Sequence, residues 1–101
     1  MEHSAILLYI TCNDGQQANT IAHSIISEQL AACANIFPEM QSLYRWDGEI
    51  NSSTETVLIL KTSDHLRQRC PDRIQQLHNY QVPCILEIPI SGGNHERRTK
   101  H

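Results

Sequence analysis

The sequence predicts one α+β domain in which two helices cover one face of an antiparallel sheet. Three observations predict it: a length of 101 residues, a succession of strand and helix patterns, and an Asp-Gly pair between two strand-like segments. A chain of this length usually forms a single domain. The order of the patterns is strand, helix, strand, strand, helix, strand, which is the split βαβ, or ferredoxin-like, arrangement βαββαβ.

The first strand and the first helix are predicted from an apolar run and a cap. Ala5–Thr11 is a continuous apolar and β-forming segment, typical of a central strand that is buried on both faces. Asp14 can cap the following helix, and Gln17 three positions later completes a pattern that resembles a capping box. Apolar residues recur at steps of three and four within Gln16–Ala32, which predicts an amphipathic helix.

A long hairpin between the second and third strands is predicted around Asp47-Gly48. The segments Ile36–Trp46 and Glu49–Thr62 have strand character, and Asp-Gly suits a type I′ turn because both central residues need positive φ. Pro38 restricts the entering strand to an edge or a bulge. The half of the hairpin near the turn is polar on its returning strand, so we expect it to project beyond the domain.

The second helix and the last strand both contain proline. Pro71 would remove a backbone hydrogen bond inside a helix, so we expect a kink or two short helices there. Pro83 and Pro89 within Val82–Ile90 indicate an edge strand or an interrupted one. The apolar stripe of the second helix consists of Leu66, Cys70, Ile74 and Leu77.

The domain is predicted to span residues 1–93, and residues 94–101 are expected to form a flexible polar tail. Nothing after Ile90 is apolar, so the tail has little to pack. No apolar run approaches the roughly 20 residues of a membrane span, and the N-terminus has no secretory signal. A net charge of −3 argues against nucleic acid as a partner. These features predict a cytoplasmic protein without a membrane or nucleic-acid partner.

The four cysteines, Cys12, Cys33, Cys70 and Cys84, show no C-x-x-C spacing. Without an export signal, reduced thiols are expected rather than disulfides. Cys33 and Cys70 stand on apolar stripes, so we expect both to be buried packing residues.

Motifs that would predict an enzyme or an RNA-binding domain are missing from the sequence. It contains no G-x-S-x-G, no H-E-x-x-H and no phosphate-binding loop, and we predict a non-enzyme. RNA binding on this fold needs exposed aromatic residues on the two central strands, and Tyr9 is the only aromatic residue there.

A metal site is predicted at Cys12, His78 and Cys84. The loop after the first strand and the end of the second helix can meet in this topology, and thiolate with imidazole favours copper or zinc over magnesium and calcium. Two other interpretations remain open. His78 could instead bond to backbone carbonyls at the helix end, and Cys84 could simply fill a strand position and point into the core.

Several spaced motifs resemble the CutA divalent-cation tolerance family. The segments EQLAACANIFP, SLYRWDGEI and LILKT are similar to its signatures, and the resemblance runs from about Ile10 to Ile90. It implies a compact homotrimer whose sheets pack inward, whose long hairpins reach neighbours, and which binds divalent cations, copper above all, in metal tolerance. The family often has a metal-site Glu where Cys84 stands, and the similarity stops at Asn94.

Two alternatives to metal binding are kept. The first is a trimeric signalling module like the PII-type proteins, which share this architecture and bind small ligands between subunits. The second is a scaffold whose trimer matters and whose metal binding is incidental. Titration with copper and with nucleotides would separate the first alternative from a metal-binding protein. In every case we expect the face of the sheet without helices to be covered by other protein, and a second subunit would provide that cover.

Overall fold

The chain folds into a four-stranded antiparallel sheet with two helices packed on one face. The computed structural model describes residues 4–78 and 84–93. The sheet order is second, third, first and last strand, and every neighbouring pair is antiparallel. This is the predicted α+β ferredoxin-like arrangement. In chain order the elements are β1 (Ala5–Cys12), α1 (Gly15–Ser27), β2 (Cys33–Trp46), β3 (Glu49–Ser63), a 3₁₀ turn (Asp64–Leu66), α2 (Arg69–Leu77) and β4 (Ile85–Pro89).

The hydrophobic core lies between the sheet and the two helices. Strand β1 pairs with β3 on one side and β4 on the other, which confirms that it is a central strand. It is not buried on both faces as predicted, because Leu7, Tyr9 and Thr11, on the face without helices, are only half-buried. Alternate residues of β1 point into the core, as the two-residue period of a strand requires. Fully or almost fully buried apolar side chains include Leu8, Ile10, Ile21, Ile25, Leu58, Leu60 and Ile74.

Helix α1 begins as predicted and ends earlier than predicted. The carboxylate of Asp14 accepts a hydrogen bond from the Gln17 backbone N–H at 2.9 Å. We expected the helix to continue to Ala32, but it ends at Ser27 because Gln29 has a left-handed φ of 60°. The chain then turns back, Leu30 is buried, and its carbonyl accepts from the Thr62 hydroxyl at 2.6 Å.

The β2–β3 hairpin has the predicted turn and the predicted bulge. Asp47 and Gly48 have φ values of 53° and 79°, as a type I′ turn requires. The register of the pair shifts between Phe37 and Met40, around Pro38. The two strands contain 14 and 15 residues against 8 in β1, so the turn end of the hairpin extends past the rest of the sheet.

Pro71 is accommodated by two short helical segments. The 3₁₀ turn precedes α2, and Pro71 is the third residue of α2. Proline has no backbone N–H, but Pro71 lies in the first turn of α2, where a backbone N–H would have no hydrogen-bond partner within the helix. The prediction of two short helices is therefore confirmed.

Strand β4 lies at one edge of the sheet, as its prolines predict. It runs from Ile85 to Pro89 and pairs only with β1 among the described strands. The first residues of the predicted strand, 82 and 83, lie outside the described residues, as do the segment 79–81 and the tail 94–101. The boundary between the domain and its tail stays a prediction.

One cysteine prediction was wrong. Cys70 is buried in the core, as expected, whereas Cys33 is only half-buried. The neighbours of Cys33 on β2, Ala34 and Ile36, pack against the core. Because side chains alternate along a strand, Cys33 faces the side of the sheet away from the helices, near Asn35, whose Oδ1 lies 4.0 Å from Sγ.

Candidate functional site

His78 joins the end of α2 to the end of β1. Its side chain is buried, and Nε2 lies 3.0 Å from the carbonyl oxygen of Thr11. A carbonyl can only accept, so Nε2 carries the hydrogen and donates it. In the neutral ring the lone pair is then on Nδ1. The topology thus brings the end of α2 to the end of β1, as predicted. His78 also makes a hydrogen bond to a backbone carbonyl, as expected if it is a structural residue at the helix end and not a metal ligand.

Cys12 is the buried member of the predicted trio. It has no exposed surface and belongs to the core cluster. Burial, with a smaller contribution from the nearby Asp14 carboxylate, raises the pKa of the Cys12 thiol to about 11. Metals bind the thiolate, so a metal bound at Cys12 near neutral pH would have to displace a firmly held proton.

Cys84 is the exposed member of the trio. It stands immediately before β4 and is exposed. Ile85, the next residue, pairs with Ile10 and packs against the core. Because successive side chains point to opposite faces, Cys84 is expected on the face away from the helices, opposite to Cys12.

Within residues 4–78 and 84–93, no three or more His, Cys, Asp or Glu side chains are grouped closely enough to hold a metal ion. The structure brings His78 to the end of the strand that carries Cys12, and Cys84 immediately precedes β4, the strand that pairs with β1. A metal site at Cys12, His78 and Cys84 stays a prediction. The same described residues contain no helix long and apolar enough to cross a membrane.

A polar pocket at the start of α1 was not foreseen from the sequence. It has a volume of about 320 Å³ and is lined by Asp14, Gln16, Gln17, Thr20 and Leu77. Gln17 is buried, and its Nε2 has no hydrogen-bond partner among residues 4–78 and 84–93. The sequence showed Gln17 as the last residue of a capping-box-like pattern that begins at Asp14, but nothing in that motif indicates that its amide nitrogen would be enclosed.

The fold defines a class: ferredoxin-like α+β proteins with one extended hairpin. The family model described as CutA1 divalent ion tolerance protein matches residues 6–98, and the chain belongs to this family. The family assignment predicted from the sequence is confirmed, but the similarity does not stop at Asn94 as predicted, since the match continues to residue 98.

Curated relatives and solved structures agree with this assignment. The divalent-cation tolerance protein CutA of Thermus thermophilus is 41% identical over 90 residues, which cover 89% of this chain and 87% of that protein. The chloroplastic CutA 1 of Oryza sativa is 39% identical over 90 residues, and the chain spans only about half of it, 51%. The crystal structure of CutA1 from Oryza sativa has a TM-score of 0.86 at 36% identity, covering 96% of this chain and 89% of that one. The CutA1 structure from Ehrlichia chaffeensis has a TM-score of 0.86 at 35% identity, covering 95% and 90%.

Proposed function

We propose that this chain forms a homotrimer that binds divalent cations, copper above all, and acts in metal tolerance in the cytoplasm. Membership of the divalent ion tolerance family is the observation that carries the proposal. The name of the Thermus thermophilus relative supports the link to divalent cations. The fold supplies a second argument, which concerns assembly.

The face of the sheet without helices carries a group of apolar side chains, and the strand register places Asn35 and Lys61 on the same face. Strand pairing places Tyr9 next to Leu86 and Leu7 next to Ile88 on this face. Leu86 is 55% exposed, Ile88 41% and Phe37 52%. A contiguous apolar surface of this kind marks an interaction site, and burying it against copies of the same sheet would stabilise an assembly. The open face is defined by Leu7, Tyr9, Phe37, Ile59, Leu86 and Ile88.

The interface is tested with matched charge substitutions. Leu86→Glu places a carboxylate on the open face and should dissociate the trimer in sedimentation velocity. Ile26→Glu is the control, because Ile26 is also partly exposed, 37%, but lies on α1 on the other side of the sheet. Equal sedimentation of both variants and the wild type would show that the open face is not the interface.

Copper binding is proposed through the predicted trio of thiols and imidazole. Thiolate and imidazole ligands prefer copper or zinc to magnesium. The exposed Cys84 is the thiol that a cation from solution can reach first. Binding must release thiol protons, so affinity should fall as the pH is lowered.

The cation site is tested by copper titration of Cys84→Ser, His78→Ala and Cys12→Ser, with folding and oligomeric state checked first. Cys70→Ser is the control, because Cys70 is a buried thiol in the core cluster outside the trio. We expect weaker copper binding for the trio variants and wild-type binding for the control. Wild-type stoichiometry and affinity in all three trio variants would remove this site while leaving the family assignment intact.

A further inference from the structure

The carboxylate of Glu55 lies at the base of the projecting hairpin. The pairing of β3 with β1 ends at Thr56, the next residue, so only β2 flanks Glu55 in the sheet. Its side chain is half-buried, and Oε1 accepts a hydrogen bond from the hydroxyl of Ser42 at 2.9 Å. Among residues 4–78 and 84–93 no basic side chain forms an ion pair with Glu55, so the partner found there is a neutral hydroxyl.

Glu55 lies on the side of the sheet away from the helices. The strand register places it directly opposite Met40. The hydroxyl of Tyr9, a residue of the open face, donates a hydrogen bond to the sulfur of Met40 at 3.4 Å. A second copy that covers the open face would therefore also enclose Glu55. A charge enclosed at an interface is costly unless an opposite charge pairs with it.

Lys61 is the basic residue that the register places on the same side. It lies six positions after Glu55 on β3, and an even separation along a strand keeps both side chains on one side. It pairs with Leu7, a residue of the open face. Within the described strands the other Lys or Arg is Arg45, which is five positions after Met40 and therefore points to the opposite side.

The two charges cannot meet within one chain. Six positions along a strand correspond to about 20 Å, which is too far for an ion pair between Glu55 and Lys61. A cyclic trimer, in contrast, uses heterologous contacts, in which one patch of a subunit meets a different patch of the next. The hairpin base of one copy can then lie over the other end of β3 in its neighbour, and all three interfaces bring the same two charges together.

We propose that Glu55 of each copy forms an ion pair with Lys61 of a neighbouring copy. This inference rests on the proposed homotrimer and adds the contact that fixes how its chains are placed against each other. Ser42 bonds one carboxylate oxygen, and the other oxygen accepts from the Lys61 ammonium. Reversing one of the two charges places like charges together at the interface, which opposes assembly.

Charge reversal tests the pair. Sedimentation velocity across a protein concentration series compares the full-length wild type, Glu55→Lys, Lys61→Glu and the double variant that carries both changes. We expect each single reversal to weaken association at least about tenfold, and the double variant to return to within about threefold of the wild type. The control combines Lys61→Glu with Glu49→Lys. It has the same net charge as the first double variant, but Glu49 is exposed beside the turn, so association should stay weak.

Neutral substitutions repeat the test without introducing like charges. Glu55→Gln keeps an acceptor for Ser42, and Lys61→Met keeps an apolar chain of similar length. Together they should weaken association at least about threefold less than the product of their separate effects. Three results would overturn the pair while the trimer stands: no restoration in the double reversal, equal restoration in its control, or independent effects of the neutral substitutions. A monomeric wild type would overturn the trimer as well.

Discussion

Gln29 stores backbone strain at the end of α1, and replacing it with glycine should stabilise the protein. The N–H of Leu30 bonds the carbonyl of Ile25 at 3.0 Å, and the N–H of Gln29 bonds that of Ile26 at 3.0 Å. These two bonds form a Schellman motif, whose left-handed position is usually glycine. Gln29 occupies it with a φ of 60° and an exposed side chain.

The expected gain follows from two opposing terms. A left-handed conformation costs a non-glycine residue about 1–2 kcal/mol, whereas glycine loses about 0.5–1 kcal/mol more backbone entropy on folding. Taking the middle of each range, Gln29→Gly should therefore raise the free energy of unfolding by about 0.8 kcal/mol.

Urea denaturation at a fixed protomer concentration measures this change, because the stability of an oligomer depends on concentration. Gln29→Ala is the control: it removes the same side chain but keeps the strain, so it should give no gain. If the glycine variant is no more stable than the alanine variant, the left-handed strain at Gln29 contributes nothing and the reasoning is refuted.

Three further predictions concern the core, a surface ion pair and pH. Leu30→Ala should lower the free energy of unfolding by roughly 2–5 kcal/mol, because Leu30 is buried in the core cluster; a negligible change in chemical denaturation would contradict its burial. Arg73→Ala removes the 2.9 Å ion pair with Glu28, in which the Arg73 side chain is 35% exposed and that of Glu28 40%; because water screens such a pair, we expect little or no loss of stability in the same assay. Burial raises the pKa of the thiols of Cys12 and Cys70 from 9.0 to about 11 in the folded protein. As the pH rises, these thiols therefore lose their protons in the unfolded chain at a lower pH than in the folded protein. The free energy of unfolding should consequently fall between pH 9 and pH 11. Thermal denaturation across that range should show a shallower fall for Cys70→Ala than for the wild type, and identical pH profiles would count against the raised pKa.

Elements with strong local signals were predicted well from the sequence. The Asp47-Gly48 turn needs positive φ at both positions, and few other residue pairs supply it so easily. Pro71 could not stand in a helix interior, so a break before it followed from its chemistry. The predicted end of α1 lies too far along the chain, because nothing in the sequence marks Gln29 for a left-handed conformation. The apolar residues that follow Gln29 also continue the helical spacing.

The candidate site was harder to predict from the sequence, because it depends on the face of the sheet to which each side chain points. Cys12 and Cys84 both adjoin the same end of β1, which the topology predicted. Cys12 nevertheless belongs to the core cluster, whereas Cys84 is exposed just before β4. Cys33 was misjudged for the same reason, since its apolar neighbours indicated burial without revealing the phase of β2. The pocket beside Gln17 arises from the packing of α1 against α2, which no single motif encodes.

Native mass spectrometry of the purified protein after addition of copper(II), with magnesium as the comparison, tests the proposed function most directly. One spectrum reports both the number of 11.5 kDa chains in the assembly and the metal ions bound to it. The predicted result is a trimer that retains copper after removal of excess metal and retains no magnesium. A monomer without bound copper at micromolar concentration would contradict the account.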